Sequence, residues 1–262
     1  MFMKYPSILE MLQSGVHFGH KNSRWHPKMK PFIFTERNQV HIINLEETEK
    51  QLKEVLPLVK SMAAEGKKIL FVTTKPQARE IVKAAALDCN MPFLTERWLG
   101  GMITNFSEIK KLIRRYVEMK DKQAKGELGH YTKKEQLEIA KDLEKKDGYL
   151  GGLATLTRMP DVIFIPSMQR EKTAVTEANS MGVEIIGVCD TNANPDKATY
   201  VIPANDDAVK SIEMIVGLVR DAIKEGNVEF EKANAARIAA QPKPVVKKKV
   251  EAEAAPVVIA SS

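Results

Sequence analysis

Apolar residues fall along this chain in two alternating patterns. Short, nearly continuous runs occur in KKILFVTT (residues 67–74) and at residues 92–95, 161–166, 183–189 and 200–203. Between them, apolar positions recur every three or four residues. Leu52, Val55, Leu56, Val59 and Met62 do so within residues 45–65, a helix that Gly66 ends. Residues 76–89, 171–181 and 206–224 carry further helical patterns. A strand without polar alternation is covered on both faces, as in a parallel sheet layered between helices. Alternating strands and helices therefore predict right-handed crossovers and a doubly wound α/β sandwich.

Two stretches break that rhythm. Residues 7–13 read as a short amphipathic helix capped by Gly15, and residues 16–38 read as irregular and basic. Within the latter, residues 33–34 and 40–43 flank an Arg37–Asn38 turn and predict a small hairpin. The second stretch, residues 104–150, has no strand pattern. Phe106, Ile109, Ile113 and Tyr116 form the narrow seam of a coiled coil, and Leu137, Ala140, Leu143 and Leu150 repeat it. Asn105 with Glu108, and Thr132 with Glu135, read as capping boxes, and Gly126 and Gly129 bracket a turn. These features predict an antiparallel helical hairpin inserted in the sandwich. The expected organisation is residues 1–103 with 150–226 as the α/β domain, 104–149 as the hairpin, and 227–262 as a disordered tail. The last rests on a composition of Ala, Pro, Lys, Glu and Val from Glu231 onward.

Charge narrows the function only through its placement. The 262 residues carry 40 Lys+Arg against 34 Asp+Glu, a formal excess of +6 that many enzymes share. The two cysteines, Cys89 and Cys189, lie in apolar segments and suit a reducing compartment better than a disulfide framework. No run approaches a membrane span and the first residues lack a signal-peptide pattern, so a soluble cytoplasmic protein is expected.

Residues 15–34, GVHFGHKNSRWHPKMKPFIF, hold Lys21, Arg24, Lys28 and Lys30 with no acidic residue, interleaved with Phe18, Trp25 and Phe32. Cations neutralise phosphates and planar rings stack on exposed bases, so this segment predicts an RNA-facing surface, with Phe32 in the core. Trp25 either stacks on a base or locks the loop. His17, His20, His26 and His41 could suggest a metal, but tight ligand spacing and a nearby cysteine are missing, and a role against RNA or in the core is preferred. Lys110, Lys111, Arg114 and Arg115 make the first hairpin helix basic, with few acidic partners at i+4. The second helix is more balanced and fits a protein-facing or solvent-facing surface. In RWLGGMITN (residues 97–105) the glycine pair reads as a tight turn, leaving Arg97 and Trp98 able to reach RNA. At the strand ends, Thr73 to Lys75, Ser167, Asp190 to Asn192 and Asn205 to Asp207 are where an α/β enzyme keeps its site. No nucleophile–base pair and no phosphate motif is found there, and an enzyme of phosphorylated metabolites stands only as the runner-up, followed by a protein-docking module acting through the hairpin.

Taken in order, GVHFGH, W-x-PKMKPFIF, HIINLEET, ILFV-x-TK-x-QA, RWLGGM-x-TN, PD-x-IFIP, DTNANPD and VIPANDDA resemble the S2 family of small-subunit ribosomal proteins over residues 5–226. His26 stands where that family often has Asn, and Thr73 where Gly is common. The resemblance implies a flavodoxin-like three-layer sandwich with an inserted helical hairpin, and no catalysis or cofactor. It also implies a place between head and body of the small subunit, on ribosomal RNA and beside neighbouring ribosomal proteins, including the large mRNA-binding protein S1 where that exists. The RNA contacts expected are Lys21, Arg24, Trp25, Lys28, Lys30, Arg37, Arg97, Lys110, Lys111, Arg114 and Arg115.

Overall fold

In the computed structural model, residues 5–240 are described, the side chains of His130 and of residues 236–240 excepted. The apolar runs form a five-stranded sheet in the order β5-β4-β6-β7-β8: β4 (Ile69–Val72), β5 (Phe93–Leu94), β6 (Val162–Ile165), β7 (Glu184–Cys189) and β8 (Tyr200–Pro203). Every pairing is parallel, with Phe71 opposite Phe93 and Phe164, and Ile186 opposite Phe164 and Tyr200. Counted within this sheet the order is 2-1-3-4-5, that of flavodoxin-like sandwiches.

Successive residues of each strand point to opposite faces, so each strand feeds two cores. Ile69, Phe71, Val162, Phe164, Ile186 and Val188 pack under α2 (Leu45–Ala64), α3 (Pro76–Asp88) and α7 (Val209–Ala240). The Phe71 and Phe164 rings meet edge to face at 5.2 Å. Leu70, Val72, Ile163, Ile165 and Ile185 pack on the other side, under α6 (Lys172–Met181) and the roots of α4 (Phe106–Ala124) and α5 (Lys133–Leu150).

The N-terminal segment is more ordered than its polar pattern suggests. The helix α1 (Ile8–Gln13) starts in a capping box, Ser7 Oγ accepting from Glu10 N–H at 3.3 Å while Glu10 accepts from Ser7 N–H at 2.7 Å. The expected hairpin is β2 (Ile33–Arg37) and β3 (Val40–Ile43), but its turn lies one residue later than predicted. Asn38 and Gln39 both adopt left-handed angles, φ +53° and +61°. A third strand, β1 (Phe18–Lys21), runs where an irregular stretch was expected and completes a sheet ordered β1-β3-β2. Its alternation is broken between Phe18 and Lys21 by a register shift, which hid it from a period-two reading.

Helices α4 and α5 meet through Ile109, Ile113, Tyr116, Leu143 and Leu150, all buried. Asp147 accepts from the Tyr116 hydroxyl and pairs with Lys120 at 2.5 Å. Two readings of this region need correction. Thr132 and Glu135 form the capping box of α5, but Asn105 makes no side-chain cap to α4. Asn105 Oδ1 instead accepts from Ser107 Oγ at 3.2 Å, and Glu108 pairs with Lys111 at 2.7 Å. Leu137, expected inward, is 57% exposed, and Ile139 is half-buried in its place. Of the aromatic residues near the expected turn, Trp98 is buried rather than turned toward a partner.

The tail expected from residue 227 does not begin there, because α7 continues to Ala240. Ala, Glu and Lys, read as disorder-promoting, are also the strongest helix formers. Lys60 of α2 holds the start of this extension, pairing with Glu225 just before it at 3.3 Å and with Glu229 within it at 2.8 Å. The remainder of that tail, residues 241–262, lies outside the described residues.

Candidate nucleic-acid interface

The basic N-terminal segment is clamped to the strand ends by backbone bonds and small contacts. Gly19 sits against Thr191, where an added Cβ would lie 2.5 Å from Thr191 Cγ2, so only glycine fits. His20 N–H donates to Thr191 Oγ1 at 2.8 Å, and His26 N–H to the Thr191 carbonyl at 2.7 Å. Two short 3-10 turns follow, Asn22–Arg24 and Pro27–Phe32; His26 Nδ1 accepts from Lys28 N–H at 3.3 Å at the start of the second. Met29 is fully buried in the core beneath it, and Phe32 is half-buried against the same core. Thr191 lies 171 residues from His20, so no local signal marks it as the anchor of this loop.

Held in this way, Lys21, Arg24, Lys28 and Lys30 all project into solvent, as do Arg37 on the hairpin and Arg97 at the end of the sheet. Lys28 pairs with Asp196, both half exposed; among the described residues the other five make no ion pair. Trp25 is half-buried, with its ring 5.2 Å from that of His41 and tilted 46°. His41 Nε2 is in turn 3.1 Å from Asn22 Oδ1. Trp25 is therefore fixed from one side while part of its ring stays accessible.

On α4, Lys110, Lys111, Arg114 and Arg115 are all exposed. The acidic partners are less sparse than the sequence suggested, since Lys111 pairs with Glu108 and Arg114 with Glu118, each at 2.7 Å. Such solvent-exposed pairs contribute little and exchange readily for a phosphate. The root of α4 is set by Glu177 of α6, which sequence reasoning did not single out. Its carboxylate accepts from the Trp98 indole at 2.9 Å and from the backbone N–H of Gly101 at 2.9 Å, Ile103 at 3.2 Å and Thr104 at 3.5 Å. Burial alone would raise its pKa, but these four donors more than offset that and hold it below the usual carboxylate range. Glu177 thus fixes the Gly100–Gly101 turn beside exposed Arg97.

The strand ends form a pocket of about 410 Å³ lined by His20, Lys75, Ser167, Asn192, Asp206 and Asp207. Its charges are largely matched internally. Lys75 Nζ lies 2.9 Å from Asp206 Oδ1 and 2.7 Å from Asp207 Oδ1, and Ser167 donates to Asp206 at 2.6 Å. His20 Nδ1 is 3.2 Å from Asp190 and its Nε2 3.3 Å from Asp207. The hydrogen bond to Asp190 raises the His20 pKa, against burial, and the nearby carboxylates add to it. Burial and the neighbouring Asp190 raise that of Asp206. Ser167 donates to Asp206, whose carboxylate is already paired with Lys75, and among the described residues no imidazole is bonded to it to activate it, so the arrangement is a staple between β1 and the sheet and not a catalytic dyad. Among the described residues, His20, Asp190 and Asp206 could hold a metal ion, their ligand atoms lying within 4.8 Å of one another. The other three histidines of the N-terminal region are elsewhere: His17 rests 4.0 Å from the Phe18 ring, His26 caps its turn, and His41 is buried beside Trp25.

No helix among the described residues is long and apolar enough to cross a membrane. Comparison with known proteins gives a consistent result. The sequence model of the family described as "Ribosomal protein S2" matches residues 11–226. The chain is 46% identical over 221 residues to the small ribosomal subunit protein uS2 of Chlorobium luteolum, covering 84% of this chain and 87% of that protein. It is 43% identical over 223 residues to the same-named protein of Dehalococcoides mccartyi, covering 85% and 91% respectively.

Proposed function

Since the chain belongs to the ribosomal protein S2 family, whose members are structural and not enzymes, we propose that it is a constituent of the small ribosomal subunit that binds ribosomal RNA through two basic surfaces. The observation that carries this reading is the acid-free N-terminal segment. Buried Met29 and Thr191, with Gly19 packed against the latter, hold a loop from which four cations project, three of them without an ion pair among the described residues. A folded protein gains nothing in stability from crowding unpaired cations; a polyanion does gain from meeting them on a fixed frame, because their binding releases its counterions.

Lys21, Arg24, Lys28, Lys30 and Arg37 form the first surface, with Trp25 adding a partly exposed ring. Arg97 with Lys110, Lys111, Arg114 and Arg115 forms the second. We read α4 and α5 as an antiparallel hairpin projecting from the α/β domain. Its second helix exposes Leu137 among Glu138, Asp142 and Glu144, a surface that suits a neighbouring ribosomal protein better than RNA. On this reading the protein sits between head and body of the subunit in the ribosome, with S1 among its neighbours where that protein is present.

The test is binding of the purified full-length protein to small subunits stripped of their S2 protein. Arg24→Glu combined with Lys28→Glu should weaken binding at least about tenfold at moderate salt and lower the salt dependence of affinity. Unchanged binding of this double variant would show that the RNA surface lies elsewhere.

A further inference from the structure

The sheet β1-β3-β2 has an outer face that no other element covers fully. Residues directly opposite in antiparallel strands share a face. Val40 is paired with Lys21 on one side and Arg37 on the other, and Ile42 with Phe18 and Thr35. Val40 and Ile42 are half-buried, while Lys21, Phe18, Thr35 and Arg37 are exposed. His41 and Ile43 point the other way, into the protein, where both are buried. The one carboxylate of the hairpin, Glu36, is paired with His41 and so belongs to that inner side, where the Asn22 amide donates to it at 3.1 Å. The outer face therefore presents two cations and no acid.

Beside it lies Phe34. The register passes from Ile33 opposite Ile43 directly to Thr35 opposite Ile42, leaving Phe34 as the extra residue of a β-bulge on an edge strand. Such bulges re-aim a side chain away from the ladder. Phe34 is 72% exposed, the most exposed large apolar side chain among the described residues. Arg37 is three residues on, about 10 Å along the strand.

We infer that Phe34 is a stacking platform for an unpaired base of the ribosomal RNA, with Lys21 and Arg37 holding the adjoining phosphates. The inference rests on the rRNA-binding reading above and adds to it the class of RNA element recognised. A ring held clear of the sheet, with cations near it that make no ion pair among the described residues, matches single-stranded RNA, whose splayed bases offer π-faces. A duplex offers phosphates but no accessible base face.

Full-length variants and small subunits stripped of their S2 protein test it. Phe34→Leu keeps an apolar side chain without a ring, and Phe34→Tyr keeps the ring; at this exposure neither disturbs folding. The leucine variant should bind about tenfold more weakly or worse, with an unchanged slope of affinity against salt, while the tyrosine variant binds like the parent. Arg37→Gln should instead flatten that slope. A photoreactive benzoylphenylalanine at position 34 should crosslink to rRNA. Equal binding by the leucine variant and the parent, or crosslinks to a ribosomal protein alone, would overturn the stacking role and leave the rRNA reading standing. A parent protein that binds stripped subunits at no salt concentration would strike the rRNA reading itself, and the stacking role with it.

Discussion

Single residues in this protein act chiefly by fixing where charge is presented. Glu177 gathers five donors from the segment that launches α4. Removing it with Glu177→Ala leaves the Trp98 indole and backbone N–H groups without an acceptor, and unfolding by denaturant should show a loss of about 2–3 kcal/mol. Its pH dependence follows from the sign of the shift. The folded pKa lies below the ordinary carboxylate value, so the stabilisation is present above that ordinary value and fades as pH falls through the folded pKa. The advantage of the parent over Glu177→Gln should therefore shrink between pH 5 and pH 3; an advantage constant with pH would contradict the charge-based account. None of this was legible in the sequence, since Glu177 lies 79 residues from Trp98 and a lone glutamate on a helix carries no signal. The exposed cations, by contrast, were legible, because a run of 20 residues without an acid is a local property.

At the scale of elements, the strands and helices of the sandwich followed from hydrophobic period alone, and the failures came where another principle outweighed it. The bulge between Phe18 and Lys21 concealed β1, and helix propensity carried α7 past the point where composition suggested disorder. The α2–α7 contact makes a prediction of its own. A Cβ on Gly226 would lie 2.3 Å from the Lys60 carbonyl and 2.6 Å from Ala63 Cβ, so Gly226→Ala must push the helices apart, at a cost on the order of 1–3 kcal/mol. Gly217, on the same helix, has nothing within 4 Å of such a Cβ. There alanine should stabilise by about 0.5–1 kcal/mol, because glycine loses more chain freedom on folding. Thermal melts of the two variants should move in opposite directions. The α5 capping box offers a smaller effect, with Thr132→Ala costing about 1 kcal/mol and fraying α5 first.

For the whole molecule, a flavodoxin-like sandwich would ordinarily carry a ligand site at the carboxyl ends of its strands. Here that edge is taken up by Lys75, Asp206, Asp207, Asp190 and His20, paired with one another, and used to fasten the basic N-terminal segment. The fold's usual binding edge serves as a mounting, and the exposed cations that we propose meet RNA lie on what is mounted. On the proposed function, this protein resides on the small ribosomal subunit through electrostatic contact with RNA. The most direct measurement is sedimentation of a cell lysate through gradients at moderate and then high salt, following the protein by antibody. The account predicts migration with the small subunit at moderate salt and release as salt is raised; protein remaining free at the top of the gradient at every salt concentration would contradict it.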